Sequence, residues 1–132
     1  MQALNNPPLS PKTKSMPASS SCLQFFLSAY FGRNYFNFKG RASRKEWWSA
    51  ELLKILFLAL PIAAFIFLFP KYGDYIELFY ELYIIVPTTS LMVRRFHDFN
   101  MNPWWGLLII PLLFLPVFKG DDGPNPYGEN IY

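Results

Sequence analysis

The sequence predicts an all-α membrane protein with about three transmembrane helices, preceded by a short interfacial amphipathic helix and a disordered N-terminal tail. Hydrophobic residues make up 52% of the 132 residues and aromatic residues 20%. They are concentrated in runs that approach or exceed the roughly 20 residues needed to cross a bilayer core. Two of these runs follow a basic stretch and a tryptophan pair, an order typical of helices that enter the membrane from the cytoplasmic side. The length allows one domain, which we assign to residues 22–130.

The N-terminal part divides into two segments. Residues 1–21 are rich in Pro, Ser and Asn and contain no aromatic residue. They cannot bury enough apolar surface to offset the entropy of ordering, so we expect a disordered tail, with an interaction tail as the alternative. In residues 22–34, Leu23, Phe26 and Tyr30 recur at helical spacing. This segment is too short to cross a membrane, and we expect an amphipathic helix either on the cytoplasmic membrane surface or packed on the other helices.

Three apolar spans follow, at about residues 47–70, 75–93 and 103–118. The first is long enough to cross with some tilt, and Pro61 is expected to kink it because proline removes a backbone donor. The third is short for a full crossing and holds two prolines, so re-entry of the chain is an alternative to a third span. Residues 119–132 are rich in turn-forming and acidic residues and are predicted to be a C-terminal tail.

The positions of the basic residues set the expected orientation. Placing the N-terminus and the loop at 94–102 in the cytoplasm keeps most lysines and arginines on that side. Three crossings then place the C-terminus in the periplasm, whereas a re-entrant third segment would keep it inside. The net charge of +3 lies beside apolar spans, which indicates anionic lipid and not nucleic acid as the partner. The expected interface anchors are Trp47, Trp48, Trp104 and Trp105.

Charged residues at the two basic junctions form the candidate site. Their carboxylates can each accept the two parallel donors of an arginine. One interpretation is an ion-paired cluster that holds helices together at the interface; the other is a binding site for the head group of an anionic phospholipid. The residues are Arg41, Arg44, Glu46, Arg94, Arg95, His97 and Asp98.

Catalytic and metal chemistry has little support in the sequence. No serine or cysteine lies in a nucleophile context, and His97 and Cys22 are the only residues of their types. We therefore expect no metal site, no cofactor and no enzymatic activity, although a lipid-modifying reaction at the arginines is a remaining alternative. A transporter subunit would need oligomers to enclose a path, and Glu81 is the deepest carboxylate that could mark one.

Three motifs in order carry a resemblance to a known family. They are Phe38 with Gly40-Arg-Ala-Ser-Arg44, Glu46 and Trp48; Arg94-Arg-Phe-His-Asp98 with Trp104-Trp105; and Gly120, Gly123, Asn125 with Tyr127-Gly128.

Over about residues 22–130 the chain resembles the YhaH-like family of small bacterial inner-membrane proteins, a domain of unknown function. Phe96 replaces a usual Leu, and Pro126 stands where an arginine is common. The resemblance implies a multi-pass protein of the bacterial inner membrane with about three helices, and it implies no reaction. We therefore expect a structural or accessory role through other membrane proteins or self-association.

Overall fold

The structure is a computed structural model that describes residues 15–102, 104 and 116–131. Within these ranges the protein is helical and contains no strand, only an isolated bridge between Asn125 and Gly128. The predicted all-helical class is therefore confirmed for the described ranges. The helices are α1 (Cys22–Tyr30), α2 (Arg44–Lys54), α3 (Leu60–Leu68) and α4 (Gly73–Asp98), with a short 3-10 helix at Pro70–Tyr72.

Helix α1 begins where the sequence indicates and ends at Tyr30, earlier than the predicted boundary at 34. Ser21 and Gln24 form a reciprocal capping box: the Gln24 amide donates to Ser21 Oγ over 3.2 Å, and the Ser21 amide donates to Gln24 Oε1 over 2.8 Å. The helix packs against α2. Its buried face consists of Phe25, Phe26, Ala29 and Tyr30, and the large apolar residues left exposed are Leu23, Leu27 and, at its end, Phe31.

Two long helices have the length and composition to cross a membrane. The first, Arg44–Leu68, joins α2 to α3, and the second, Pro70–Asp98, contains α4. In their most apolar stretches 0% and 17% of the residues are buried. A core helix of a soluble protein would be mostly buried, whereas these two helices are left largely uncovered by the described residues. The predicted third span, 103–118, lies outside the described residues except for Trp104 and 116–118.

Pro61 does not interrupt the first long helix. A five-residue π-helical turn, Ile55–Ala59, lies immediately before α3 and links it to α2. Proline lacks an amide donor and its ring crowds the carbonyl of the preceding turn, and a π turn is one local adjustment that relieves this crowding. The sequence analysis expected a kink at Pro61; the structure has a wider, π-helical turn just before this residue.

Pro87 lies inside α4 and leaves the carbonyl of Tyr83 without its helical donor. The phenol of Tyr35 donates to this carbonyl over 2.7 Å. Within the same turn, Thr89 Oγ1 donates to the carbonyl of Ile85 over 2.6 Å. The proline therefore creates an acceptor that ties the loop after α1 to α4.

The C-terminal segment, residues 116–131, lies at the end of the helix pair where α2 begins and α4 ends. Trp48 Nε1 donates to the carbonyl of Pro116 over 2.9 Å, and the Asp121 amide donates to the carbonyl of Asp98 over 2.9 Å. The sequence analysis placed this segment beyond a third span, on the side opposite to the start of α2, with a re-entrant third segment as the alternative that keeps it on the same side. Within the described ranges, side-chain donors at the junction bind backbone carbonyls of this segment.

Candidate functional site

A cluster of buried charged side chains lies where α2 begins and α4 ends. Five residues form it, and each is at most 2% exposed. Removing charges from water is costly unless they are paired and hydrogen-bonded. We refer to these residues, Arg41, Glu46, Arg94, Arg95 and Asp98, as the ion-pair cluster.

Asp98 binds two arginines at once. Its Oδ1 accepts from Arg41 Nε over 2.9 Å and lies 2.8 Å from Arg41 Nη2, while its Oδ2 accepts from Arg95 Nη1. All three side chains are fully buried in these pairs. Arg41 comes from the loop before α2 and Arg95 from the last turn of α4, so one carboxylate joins the two elements by charge-assisted hydrogen bonds.

A second pair links α2 to α4 directly. Arg94 Nη1 donates to Glu46 Oε1, with both side chains 2% exposed. The amide of Ala42 donates to the carbonyl of Arg94 over 3.0 Å. The Nε and Nη2 atoms of Arg94 are buried and make no hydrogen bond within the described ranges. This pair therefore holds the helices together without satisfying every donor it buries.

The C-terminal segment covers the cluster and accepts further donors of Arg41 and Arg95. Arg41 Nη2 donates to the carbonyl of Asp121 over 2.6 Å, and its Nη1 donates to the carbonyls of Gly123 and Glu129. Arg95 Nη2 donates to the carbonyl of Phe118. The segment therefore supplies part of the polar environment that makes burial of these charges tolerable.

Gly120 permits this close approach. A Cβ atom at this position would lie 2.0 Å from Asp98 Oδ2 and 2.7 Å from the Asp98 carbonyl oxygen. Such distances are far inside van der Waals contact, so any side chain would push the segment away from the carboxylate. A glycine is therefore required at this point of the backbone.

His97 connects the same three parts of the chain by other contacts. Its Nδ1 lies 3.0 Å from the carbonyl of Gly40, and its ring stacks on Tyr127 with the centroids 3.9 Å apart and the planes 5° apart. Asn125 Nδ2 donates to the His97 carbonyl over 2.8 Å. The imidazole thus lies between the loop before α2 and the C-terminal segment and contacts both.

Arg44 lies apart from the other predicted site residues. It is exposed, and its Nη1 donates over 3.3 Å to the carbonyl of Val117. Within the described ranges it makes no ion pair. The seven predicted residues are therefore arranged as five in the ion-pair cluster, His97 beside it, and Arg44 on the surface.

The expected anchor tryptophans differ in exposure. Trp47 is half-buried, Trp48 is 46% exposed and Trp104 is 75% exposed. Trp105 lies outside the described residues. Indole rings with one exposed side near a charged junction are suited to the head-group region of a bilayer.

A second polar group lies further along α2. Glu51 pairs with Lys54, as their spacing predicts, and also accepts from the Tyr30 phenol over 2.9 Å. Tyr30 OH lies 3.4 Å from Thr88 Oγ1. Burial, and next the negative charge of Glu51, raise the pKa of the Tyr30 phenol. The sequence analysis did not predict that Tyr30 and Thr88 lie together, because 58 residues separate them in the chain. Only the helical spacing of Tyr30 indicated that its side chain faces inward.

The described residues contain no group of three or more His, Cys, Asp or Glu side chains placed to hold a metal ion. The charged residues they bring together bind one another and nearby backbone carbonyls. These ion pairs and hydrogen bonds join the two long helices to the C-terminal segment.

Comparisons with known proteins match this region of the chain. The family model described as "Protein of unknown function (DUF805)" matches residues 35–129, which include the whole ion-pair cluster. The inner membrane protein YhaI of Escherichia coli K12 is 33% identical over 115 residues, covering 82% of this chain and 95% of that protein. The inner membrane protein YhaH of the same strain is 32% identical over 108 residues, covering 74% and 89%. No solved structure matches.

Proposed function

This chain belongs to the DUF805 family, whose function is unknown, and from that premise we propose that it is an integral protein of the bacterial inner membrane with a structural or accessory role. In this proposal the ion-pair cluster holds the protein's own fold, and the exposed helices bind helices of other membrane proteins. Two kinds of observation support it. The relatives YhaI and YhaH are named inner membrane proteins, and the two long helices are apolar and mostly exposed.

We propose two crossings, with both ends of the described chain in the cytoplasm. The residues on either side of the undescribed stretch 105–115 support this, because both lie at the end of the helix pair where the cluster is found. One crossing takes about 20 residues, and only eleven separate Trp104 from Pro116. The exposed cations at this end, Arg33, Lys39, Arg44 and Lys45, favour the cytoplasmic side.

Reporter fusions test this topology. Alkaline phosphatase, which is active only in the periplasm, is fused after Tyr72 or after Asn130. We expect activity from the first fusion and none from the second, with the reverse pattern for green fluorescent protein. An active phosphatase after Asn130 would contradict the two-crossing arrangement and restore a third span with the C-terminus outside.

Helix α1 is proposed to lie on the cytoplasmic membrane surface while also packing on α2. Its exposed residues Leu23 and Leu27, with Phe31 at its end, support this position because apolar side chains of that kind insert into the head-group boundary. The two alternatives from the sequence, an interfacial helix and a packed helix, are thus compatible.

The single observation that carries the accessory role is the exposed face of α4 around Glu81. Leu78, Leu82 and Ile85 are each more than half exposed and flank this carboxylate. Glu81 has no ion-pair partner among the described residues, and it lies eight residues, or about 12 Å, from the start of α4 at Gly73. A carboxylate at such depth is costly in lipid. A partner helix that presents a basic or amide side chain would remove this cost.

Site-specific photo-crosslinking in cells tests the accessory role. A photoreactive amino acid at Leu82 is expected to form a discrete protein adduct, which Glu81→Gln weakens and Glu77→Gln leaves unchanged. Glu77 is the matched control because it is an exposed glutamate one turn nearer the helix start. An adduct of twice the chain's mass would identify self-association. Adducts with lipid alone, or equal adducts in both variants, would contradict the role of Glu81.

The geometry favours a structural role for the ion-pair cluster over the alternative of a head-group site in it. Arg41, Arg94 and Arg95 are at most 2% exposed and bind carboxylates inside the protein. A phosphate could reach them only if the C-terminal segment moved away. Any binding of anionic lipid is better sought at the exposed cations.

A further inference from the structure

A cavity of about 550 Å³ opens beside the start of α2, outside the ion-pair cluster. We propose that it binds the phosphate group of an anionic phospholipid, with the adjoining apolar wall taking the glycerol and the first methylenes. This inference rests on the proposed membrane location and adds a ligand and a site to it. The lining residues are Ala18, Ser43, Arg44, Lys45, Trp48, Pro116, Val117 and Ile131.

The charge of this cavity is positive and is not neutralised by the described residues. Arg44 and Lys45 are both exposed, and neither forms an ion pair within those ranges. Arg44 contacts the carbonyl of Val117, and Lys45 Nζ donates to the carbonyls of Ala18 and Ser20 over 3.1 and 2.9 Å. Carbonyl contacts position the two cations but leave their charge available to an anion.

This distinguishes the cavity from the ion-pair cluster. In the cluster three arginines face two carboxylates from which solvent is excluded. At the cavity two cations face open space next to the surface. The basic residues of this region therefore have two roles in the proposal. Arg41, Arg94 and Arg95 stabilise the fold, and Arg44 and Lys45 bind the ligand.

The rest of the lining selects an amphiphile over a free phosphate. Apart from Ser43 and the two cations, the side chains of the wall are apolar or indole, with Trp48 held in place by its bond to the Pro116 carbonyl. A tryptophan beside a cation is characteristic of the head-group level of a bilayer. Inorganic phosphate would use the cations and leave this apolar wall in contact with water.

The test compares two double variants in native mass spectrometry of the full chain, purified in a mild detergent and titrated with phosphatidylglycerol or phosphatidylcholine. Arg44→Gln/Lys45→Gln removes the cavity cations, and Arg33→Gln/Lys39→Gln removes two exposed cations that do not line it. Each cation near an anionic phosphate contributes roughly fivefold in affinity. The first variant is therefore expected to retain phosphatidylglycerol roughly 25-fold more weakly, and the second to match the unchanged protein.

Three results would overturn the inference. Equal loss in both variants would mean general attraction of anionic lipid without a site. Equal retention of phosphatidylcholine would mean that the cations are not used. Displacement of the lipid by inorganic phosphate at equal concentration would assign the site to a free anion. Membrane fractionation and circular dichroism on every variant separate these failures from failure of the proposed function, since a variant can be inserted and folded and still lack the lipid.

Discussion

The most direct test of the ion-pair cluster is Asp98→Asn, which removes one negative charge and keeps the size of the side chain. Asp98 is fully buried and binds Arg41 and Arg95, which are also fully buried. Breaking a buried pair by removing one partner costs about 3–5 kcal/mol, because an uncompensated charge remains. An asparagine can accept through one oxygen only and turns amide donors toward the second arginine, so we expect a cost toward the upper end of that range.

Release of the C-terminal segment is the best readout, since the segment docks on this carboxylate. Trypsin cleavage after Lys119 measures the open population when reclosing is fast relative to cleavage. Even the lower end of this range, about 3 kcal/mol, predicts a rise in cleavage rate of more than roughly 100-fold. Asp74→Asn is the matched control, because Asp74 is an exposed aspartate in the first turn of α4, at its opposite end. It should change the rate little, as exposed substitutions usually do.

A double variant separates charge from packing. If the cost comes from unpaired charge, adding Arg41→Gln to Asp98→Asn should recover part of the lost stability, because one of the stranded charges is removed as well. Cleavage of Asp98→Asn within threefold of Asp74→Asn would refute the ion-pair account of the cluster.

Two further predictions follow from single contacts. Gly120→Ala should destabilise docking of the C-terminal segment by about 1–3 kcal/mol, because its methyl group would overlap the Asp98 carboxylate, and faster trypsin cleavage after Lys119 with no change in far-UV circular dichroism would show it. Tyr35→Phe should cost about 0.5–1.5 kcal/mol, the net contribution of a typical hydrogen bond, because it removes the Tyr35 donor from the Tyr83 carbonyl; thermal unfolding in detergent measures this, with the exposed Tyr75→Phe as control, and equal melting temperatures would contradict it.

Composition and order along the chain were enough to predict the helical class, the two long apolar helices and the family. A span needs only an uninterrupted apolar run of sufficient length, and that is a local property. The same order indicated which residues lie at one level, since Arg41 and Glu46 come just before and at the start of one long helix and Arg94 and Asp98 come at the end of the next.

Which of these charged side chains form ion pairs with one another could not be predicted from the sequence. Whether Asp98 faces Arg41 and Arg94 faces Glu46 depends on the rotation of α4 about its axis, which is set by packing along the whole helix. The contacts of the C-terminal segment were equally hidden, because they use backbone carbonyls at Asp121, Gly123 and Glu129, and every residue carries a carbonyl.

The position of Arg41 in the chain has a consequence for biosynthesis. Its carbonyl acceptors lie 80 to 88 residues later in the sequence. At ordinary rates of translation, roughly 5–20 residues per second, the guanidinium waits several seconds after its own synthesis before those acceptors emerge. Both long helices are complete before then, so the helical hairpin persists with its charged end partly open until residues 121–129 are made. A nascent chain arrested before Asp121 would therefore hold Arg41 on Asp98 alone, and the Arg41 donors that later bind the carbonyls of Asp121, Gly123 and Glu129 would face solvent.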